Sequence, residues 1–532
     1  MSQPDAPNVL LVVLDSVRAR NTSLHGADRP TTPFLASFAE RATDYRHAYA
    51  PGTESVSSHA STFTGLHVRE HGLTNRRSRL APGHTIWESL SAAGYETGVF
   101  SNNPFLTELP VGLRDAFGTV AGRERELPYP RGVNPKNFVI DAGDGVGKYV
   151  SFLRAAVRSG RPLGSLVNGL SFKLSGTRER YLPDAFTADS SAEVYAGLFL
   201  EWAAERDGPW AACVNFMDAH YPYQAGDEPR FGDDGLLALQ AEIADSGDQA
   251  WEFVGGQRPW AERLSLEPLY DDAIRRMDAQ LRRIVEALAD RGELENTLLV
   301  VTADHGEGFG EPSPVREDWR IVGHGNGGVD DALLHVPLVV RWPGPGDGDR
   351  VSGRDADGPV GGDRIDAPAS LTGFADAVAR TVDVDADLPA GAASWGDPFV
   401  PDGPVVAATD GLDPDTEQAA LAYCDDLGPL STPADAVYEV GGDAGADGDA
   451  GADGAPRTDG DVSTGRVCKY VRWGDVTATL DVTGGREVVE SWDDGGRVER
   501  TVAGLADAGV RTDGDSDVDD DVRARLEDLG YA

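Results

Sequence analysis

The chain has little that would cross-link it, anchor it or draw it to polyanions. It holds three cysteines in 532 residues, Cys213, Cys424 and Cys468. Their odd number and wide spacing give neither a disulfide framework nor a zinc-ligand pattern. Lysine occurs only at Lys136, Lys148, Lys173 and Lys469, so arginine carries nearly all the positive charge. Against 47 basic residues stand 89 acidic ones, for a formal net charge of −42. A field of that sign opposes nonspecific binding to nucleic acid or to an anionic membrane. The acid is spread along the whole chain, and such a surface is better tolerated in high salt, where screening relieves its self-repulsion. A long hydrophobic run is also missing. The longest, in Asn8–Leu14 (NVLLVVL), is sized for a buried strand and not for a bilayer. No basic segment precedes it and no small-residue cleavage site follows, so no signal peptide is expected. These absences predict a soluble, cytoplasmic protein of a salt-rich cell, with no membrane span and no nucleic-acid partner. Oligomeric state is left open.

What is present is alternation. Strand-like runs at 8–14, 96–101, 210–217, 296–302 and 335–342 are interleaved with helix-like segments at 32–41, 85–93, 190–204 and 269–291. Apolar strands alternating with amphipathic helices predict an α/β fold with a mostly parallel sheet covered on both faces. This pattern fills residues 7–345, and residues 346–440 are read as its C-terminal part, rich in loops. The stretch 441–461 (GGDAGADGDAGADGAPRTDGD) is an acidic tether with no means of building a core. Residues 462–532 are read as a small C-terminal α+β subdomain, with hairpin strands at 467–473 and 476–482 and a terminal helix at 519–529. Residues 120–185 carry no clear pattern.

In open parallel sheets, active sites lie beyond the carboxyl ends of the strands. Here the first strand runs into Asp15, the 210–217 strand into Asp218 and His220, and the 296–302 strand into Asp304 and His305, with His324 in a glycine-rich loop beyond. Each piece has an ordinary reading: a helix cap for Asp15, turn chemistry for the Asp-His pair, a loop residue for His324. Their joint recurrence at strand ends favours a constellation. His25, His47, His67, His71, His84 and His335 lack such company and are read as ordinary. Carboxylates with an imidazole suit one divalent cation, manganese or zinc, with calcium less natural beside a histidine. Asp218, His220 and His324 are a possible set for a second ion. The segment TESVSSHASTFTG, residues 53–65, supplies hydroxyls. Helix-forming residues begin near Ser58, which sets Ser55 just ahead of a helix N-terminus, where unpaired N–H groups favour an alkoxide and an anionic ester.

At these residues the chain resembles the sulfatase branch of the alkaline phosphatase superfamily. PNVLLVVLD is similar to the family's N-terminal strand, and Ser55 through His59 with Thr64-Gly65 resembles its nucleophile signature. DAHYPY, NTLLVVTADHGE, VPLVVRWPG and the closing RLEDLGYA follow in the family's order. The resemblance implies an alkaline phosphatase-like α/β/α sandwich with its catalytic domain at 7–345. It implies hydrolysis or transfer at a sulfate, phosphate or phosphonate ester of a small molecule or glycan. Carried over residue by residue, Asp15, Asp304 and His305 would hold the metal, with Ser55 both ligand and nucleophile. His220 and His324 would bind the nonbridging oxygens or protonate the leaving group, with Arg18 and His59 as substrate-binding candidates.

Three departures sharpen the expectation. Ser16 stands where the family pairs a second aspartate, and Asp304-His305 stands where many members carry Asp-Asn. Ser57 and His59 replace the Pro and Arg read by the oxidation to formylglycine, so Ser55 is expected to remain plain serine. The leading expectation is an ester hydrolase with a covalent seryl intermediate. A phospho-group transferase onto a glycan or lipid, and a degenerate anion-binding member, are the alternatives.

Overall fold

The computed structural model describes residues 6–122, 191–245, 250–325, 328–344, 362–384, 396–425, 427–441, 466–483, 485–492 and 495–513. The readings at 123–185, the tether at 442–461 and the terminal helix at 519–529 lie outside them.

The main sheet is built from β1 (Asn8–Leu14), β2 (Thr43–Tyr49), β3 (Glu96–Phe100), β4 (Thr119–Ala121), β5 (Trp210–Phe216), β6 (Thr297–Thr302), β7 (His335–Val336), β8 (Leu338–Arg341) and β9 (Arg364–Ser370). Its nine strands run in the order β7-β2-β8-β6-β1-β5-β3-β4, with β9 paired to β2. The apolar runs NVLLVVL, WAACVNF and TLLVVT are buried along their whole length, as strands covered on both faces must be. They sit side by side at the centre, β1 parallel to both β5 and β6. Three carboxyl ends therefore open on one edge.

Helices cover the two faces. One group contains α1 (Pro33–Ala39) and two long helices, Ser191–Ala204 and Glu267–Asp290; the other contains α2 (Ser55–Thr64), α3 (Ile86–Ala92) and the helix Gly373–Val382. The long helix Glu267–Asp290 buries Leu269, Ile274, Met277, Leu281, Ile284 and Leu288 at helical spacing and turns its later arginines outward. No helix among the described residues is long and apolar enough to cross a membrane.

Two expectations are corrected. The run at 335–342 is broken at Pro337, and Leu338–Arg341 lies antiparallel to both β2 and β6. Between Thr302 and Leu338 the described residues form a short hairpin and a four-residue helix, and among them is no covering crossover of the kind that a parallel return requires. The second correction concerns the boundary at 441. Two strands upstream of it, β10 (Val405–Thr409) and β11 (Ala434–Val440), join β12 (Val467–Trp473), β13 (Val476–Asp481) and β14 (Val488–Ser491) in one antiparallel sheet of five. The smaller sheet thus begins well inside the span read as part of the catalytic fold.

Candidate functional site

Site geometry begins with β1. It ends at Leu14, and the chain turns sharply at Ser16, a non-glycine residue with φ of 63°. Three bonds hold that uncommon conformation. Ser16 N–H donates to Asp304 Oδ1 at 3.1 Å, Ser16 Oγ donates to Asp15 Oδ1 at 3.0 Å, and Tyr270 Oη donates to the Ser16 carbonyl at 2.7 Å. A left-handed residue fixed by its surroundings is a common price of aiming a functional group, here Asp15.

The hydroxyl-rich segment at 53–65 is a helix from its first serine. α2 spans Ser55–Thr64, so Ser55 is its first residue and not a residue ahead of it; the helix starts three positions earlier than the side chains suggest. Glu54 supplies the extended cap position and its carbonyl accepts from Ser58 N–H at 3.0 Å. Gly65 ends the helix in the left-handed conformation, φ 74°, its N–H on the Ser61 carbonyl, which is the physical role of the Thr-Gly pair. The other hydroxyls of the helix are engaged elsewhere. Ser57 Oγ donates to the Glu54 carbonyl, Ser58 Oγ to the Asp304 carbonyl, Thr62 to Ser58 and Thr64 to Ala60. Ser55 Oγ alone of these faces the carboxylates: it donates to Asp304 Oδ2 at 2.8 Å and lies 3.3 Å from His305 Nε2.

Asp15, Asp304 and His305 bring ligand atoms within 4.8 Å of one another, all three buried. Among the described residues neither carboxylate pairs with lysine or arginine; Asp304 meets only His305 and His59 as ion-pair partners. Burial opposes ionisation of Asp304, but His305, His59, the Ser55 hydroxyl and the Ser16 N–H outweigh it and hold its pKa below the ordinary value. Burial likewise opposes the charge on His305, and Asp304 and Asp15 overcome it, raising the imidazole. Two buried carboxylates, an imidazole and a hydroxyl in one place fit a divalent cation of intermediate hardness. Gly306 follows because a Cβ there would meet the Ala332 carbonyl oxygen at 2.0 Å.

From His305 a row of imidazoles leads outward. The ring of His324 lies 4.3 Å from that of His305, and His220 lies 4.7 Å from His324. His324 Nδ1 donates to Glu307 Oε2 at 2.9 Å, and Glu307 also accepts from Arg263 at 2.6 Å and Tyr223 at 3.1 Å. Burial raises Glu307, yet His324, Arg263 and His220 bring it down to about 2. His324 is pushed down to about 4 by burial and by His305 and His220, against the pull of Glu307, and its bond to Glu307 fixes the ring's orientation. His220 Nδ1 donates to the Tyr221 carbonyl at 2.8 Å.

The expected residues separate accordingly. Asp15, Ser55, Asp304, His305, His324 and His220 come together. His59 stands behind Ser55: its Nδ1 donates to the Ser55 carbonyl at 2.8 Å and lies 3.6 Å from Asp304 Oδ2. Arg18 is a correction. Its buried guanidinium is taken by Glu311 at 2.5 Å, Glu267 at 2.6 Å and Asn21 at 2.9 Å, so it braces the fold and is not available to grip an anion. Asp218 is another. Its Oδ2 accepts from Ser191 Oγ at 2.6 Å and Ala192 N–H at 2.8 Å at the start of a helix, and it does not join a metal-ligand group with His220 and His324. Sequence reasoning missed Asn103, Asn215 and Glu307. Asn103 Nδ2 donates to Asp15 Oδ2 at 3.0 Å and Ser55 Oγ at 3.1 Å, and Asn215 Nδ2 donates to Asp15 Oδ2 at 3.1 Å. The strand-end rule, applied also to β3, points at the segment that holds Asn103.

The family model for sulfatases matches residues 7–357. The chain belongs to the sulfatase family. The arylsulfatase K of Bos taurus is 23% identical over 351 residues, which cover 64% of this chain and 58% of that protein. The matched region thus spans about three fifths of that sulfatase. A phosphonate monoester hydrolase of Agrobacterium radiobacter superposes with a TM-score of 0.52 at 18% identity, covering 90% of this chain and 89% of the other. A 2-O GAG sulfatase superposes with a TM-score of 0.51 at 12% identity, covering 94% and 90%. Those likenesses show the fold: an alkaline phosphatase-like α/β/α sandwich with an added antiparallel sheet.

Proposed function

We propose that the protein is a metal-dependent hydrolase of sulfate, phosphate or phosphonate esters of a small molecule or glycan, with Ser55 as the attacking hydroxyl. The observation that carries this reading is the Ser55 hydroxyl on Asp304 Oδ2 at 2.8 Å, beside the buried group of Asp15, Asp304 and His305. Asp15, Asp304, His305 and Ser55 Oγ would hold the cation, which supplies Lewis acidity and lowers the pKa of the hydroxyl.

The chain's own residues account for the rest of the reaction. Ser55 passes its proton to Asp304 as Oγ forms a bond to sulfur or phosphorus. The bond to the leaving oxygen breaks with its electron pair, and that oxygen takes a proton from His220, whose Nδ1 is occupied by the Tyr221 carbonyl and whose Nε2 exchanges the proton. Water then attacks the sulfur or phosphorus and gives one proton back to His220 Nε2, while the bond to Ser55 Oγ breaks with its pair and Oγ takes its proton back from Asp304. Ser57 and His59, in place of the Pro and Arg that oxidation reads, support a serine that stays unmodified. Sulfated and phosphonate substrates both fit the names of the relatives, and both remain within the proposal.

Ser55→Ala tests it. With manganese or zinc supplied, turnover of aryl sulfate, phosphate and phosphonate esters should be lost while the melting temperature stays near that of the parent. Turnover at the parental rate would refute the assignment.

A further inference from the structure

We propose that Asn103 is a catalytic residue, whose side-chain amide positions Ser55 Oγ for attack and stabilises the same oxygen when the seryl ester is cleaved. The inference rests on the reading of Ser55 as nucleophile.

β3 ends at Phe100, and Asn103 follows at the edge where the site lies, fully buried. Its amide has one allowed orientation. Oδ1 accepts from Phe105 N–H at 3.0 Å, capping the short helix Pro104–Thr107. Its backbone is held as well, N–H on Ser101 Oγ at 2.9 Å and carbonyl under Thr107 Oγ1 at 2.9 Å. With the amide oxygen used, the two N–H groups must face the other way, and they do: one toward Asp15 Oδ2 at 3.0 Å, one toward Ser55 Oγ at 3.1 Å. Ser55 has a single proton, and Asp304 Oδ2 receives it at 2.8 Å. The bond from Asn103 is therefore donated to the oxygen itself, not shared.

A donor at that atom acts in both halves of the reaction. As Ser55 loses its proton to Asp304, charge gathers on Oγ, and a hydrogen bond to a charged acceptor is roughly twice as strong as to a neutral one. Once Oγ is esterified to sulfur or phosphorus it is a weaker acceptor, and the interaction relaxes. When water attacks the ester, the bond from Oγ to sulfur or phosphorus breaks with its pair, and the departing Oγ regains charge beside the same N–H. A seryl ester has no internal route of release, so its leaving oxygen needs this support. The amide is neutral, so it supports Oγ without placing beside Asp15 a positive charge that would compete with a cation.

Asn103→Ser separates this role from a structural one. Serine is a good helix cap and retains an oxygen for Phe105 N–H, but it has no amide donor to reach Ser55. With manganese loaded and an aryl ester as substrate, kcat should fall about 100-fold, the loss seen when one such donor is removed, with KM within about threefold. Metal content by elemental analysis and the melting temperature should match the parent. After rapid quench, the fraction of protein esterified at Ser55 should change, whereas a mere packing role would leave it as in the parent. A kcat within about threefold of the parent overturns the proposal. So does an activity loss that tracks loss of bound metal, which would mean that Asn103 acts only through Asp15. Ser55→Ala, run in parallel, distinguishes the two readings. If it is inactive while Asn103→Ser is fully active, only the role of Asn103 fails; if Ser55→Ala turns over, both fail.

Discussion

Arg18 shows how strongly a residue's partners decide its role. It sits three positions beyond Asp15, yet its guanidinium lies between Glu267 and Glu311, and its ring neighbours are Tyr270 and Phe309. Arg18→Ala leaves two partly exposed carboxylates facing each other with only the half-exposed Arg20 between them. Stability should fall by about 2–3 kcal/mol, below the figure for fully buried pairs because both acids reach solvent. KM for an ester should stay within about twofold, measured on the folded fraction. A tenfold rise in KM at unchanged melting temperature would return Arg18 to the substrate. At this scale the titratable residues were legible: Asp15, Asp304, His305, His220 and His324 each follow a strand end or a glycine loop that the spacing reveals. Asn103 was not, because an amide carries no charge pattern and becomes informative only when its orientation is fixed. Glu307 was hidden for a different reason: its partners Arg263 and Tyr223 lie far from it in sequence.

Helix α2 is the element on which the site depends, and its far end is tied to a buried imidazole. His71 Nδ1 accepts from Leu73 N–H at 2.9 Å, and Nε2 donates to Ser61 Oγ at 2.8 Å. Burial, with His67 beside it, pushes the His71 pKa down to about 3. In the unfolded chain the same ring protonates near pH 6.5, so between the two values the unfolded state binds more protons. Stability from this group is complete above about pH 6.5 and is lost as pH falls toward 3, at up to about 1.4 kcal/mol per pH unit. His71→Gln can keep both bonds without titrating. Its urea midpoint should fall less than the parent's between pH 7 and pH 5; equal slopes would mean that the ring takes up protons alike in the folded and unfolded chains.

The other elements were read unevenly, for physical reasons. Long apolar or strongly periodic segments, such as Asn8–Leu14 and Glu267–Asp290, declare themselves. Thr43–Tyr49 (TDYRHAY) does not, since its charged side chains conceal a strand whose membership is set by pairing with its neighbours. That pairing also gathers His47 and His335, with His25, into ring contact at 5.3 and 6.0 Å, although nothing local joins them. The smaller sheet escaped division at 441 because β11 and β12 pair across the acidic segment. Buried Lys469 then ties that sheet to Asp331 and Glu487.

Across the whole molecule the net charge of −42 is the dominant bulk property. It fits a surface adapted to salt, a reading that a titration tests. Raising KCl from about 0.1 to about 1 M shortens the Debye length from about 10 to about 3 Å, which should raise the melting temperature by relieving repulsion among the acids. A flat or falling melting temperature would contradict that reading. The alternation of strands and helices was enough to place the site at one sheet edge, because parallel strands force their carboxyl ends together; the added sheet was only half visible, because Val405–Thr409 and Ala434–Val440 join it by pairing with strands distant in sequence. The most direct test of the whole account is the mass of the peptide spanning Ser55, taken from protein quenched during turnover of an ester. Unmodified serine in the resting protein, and a sulfo or phospho adduct on Ser55 in the quenched one, is the predicted result. A peptide lighter by two hydrogens, or an adduct on another residue, would contradict it.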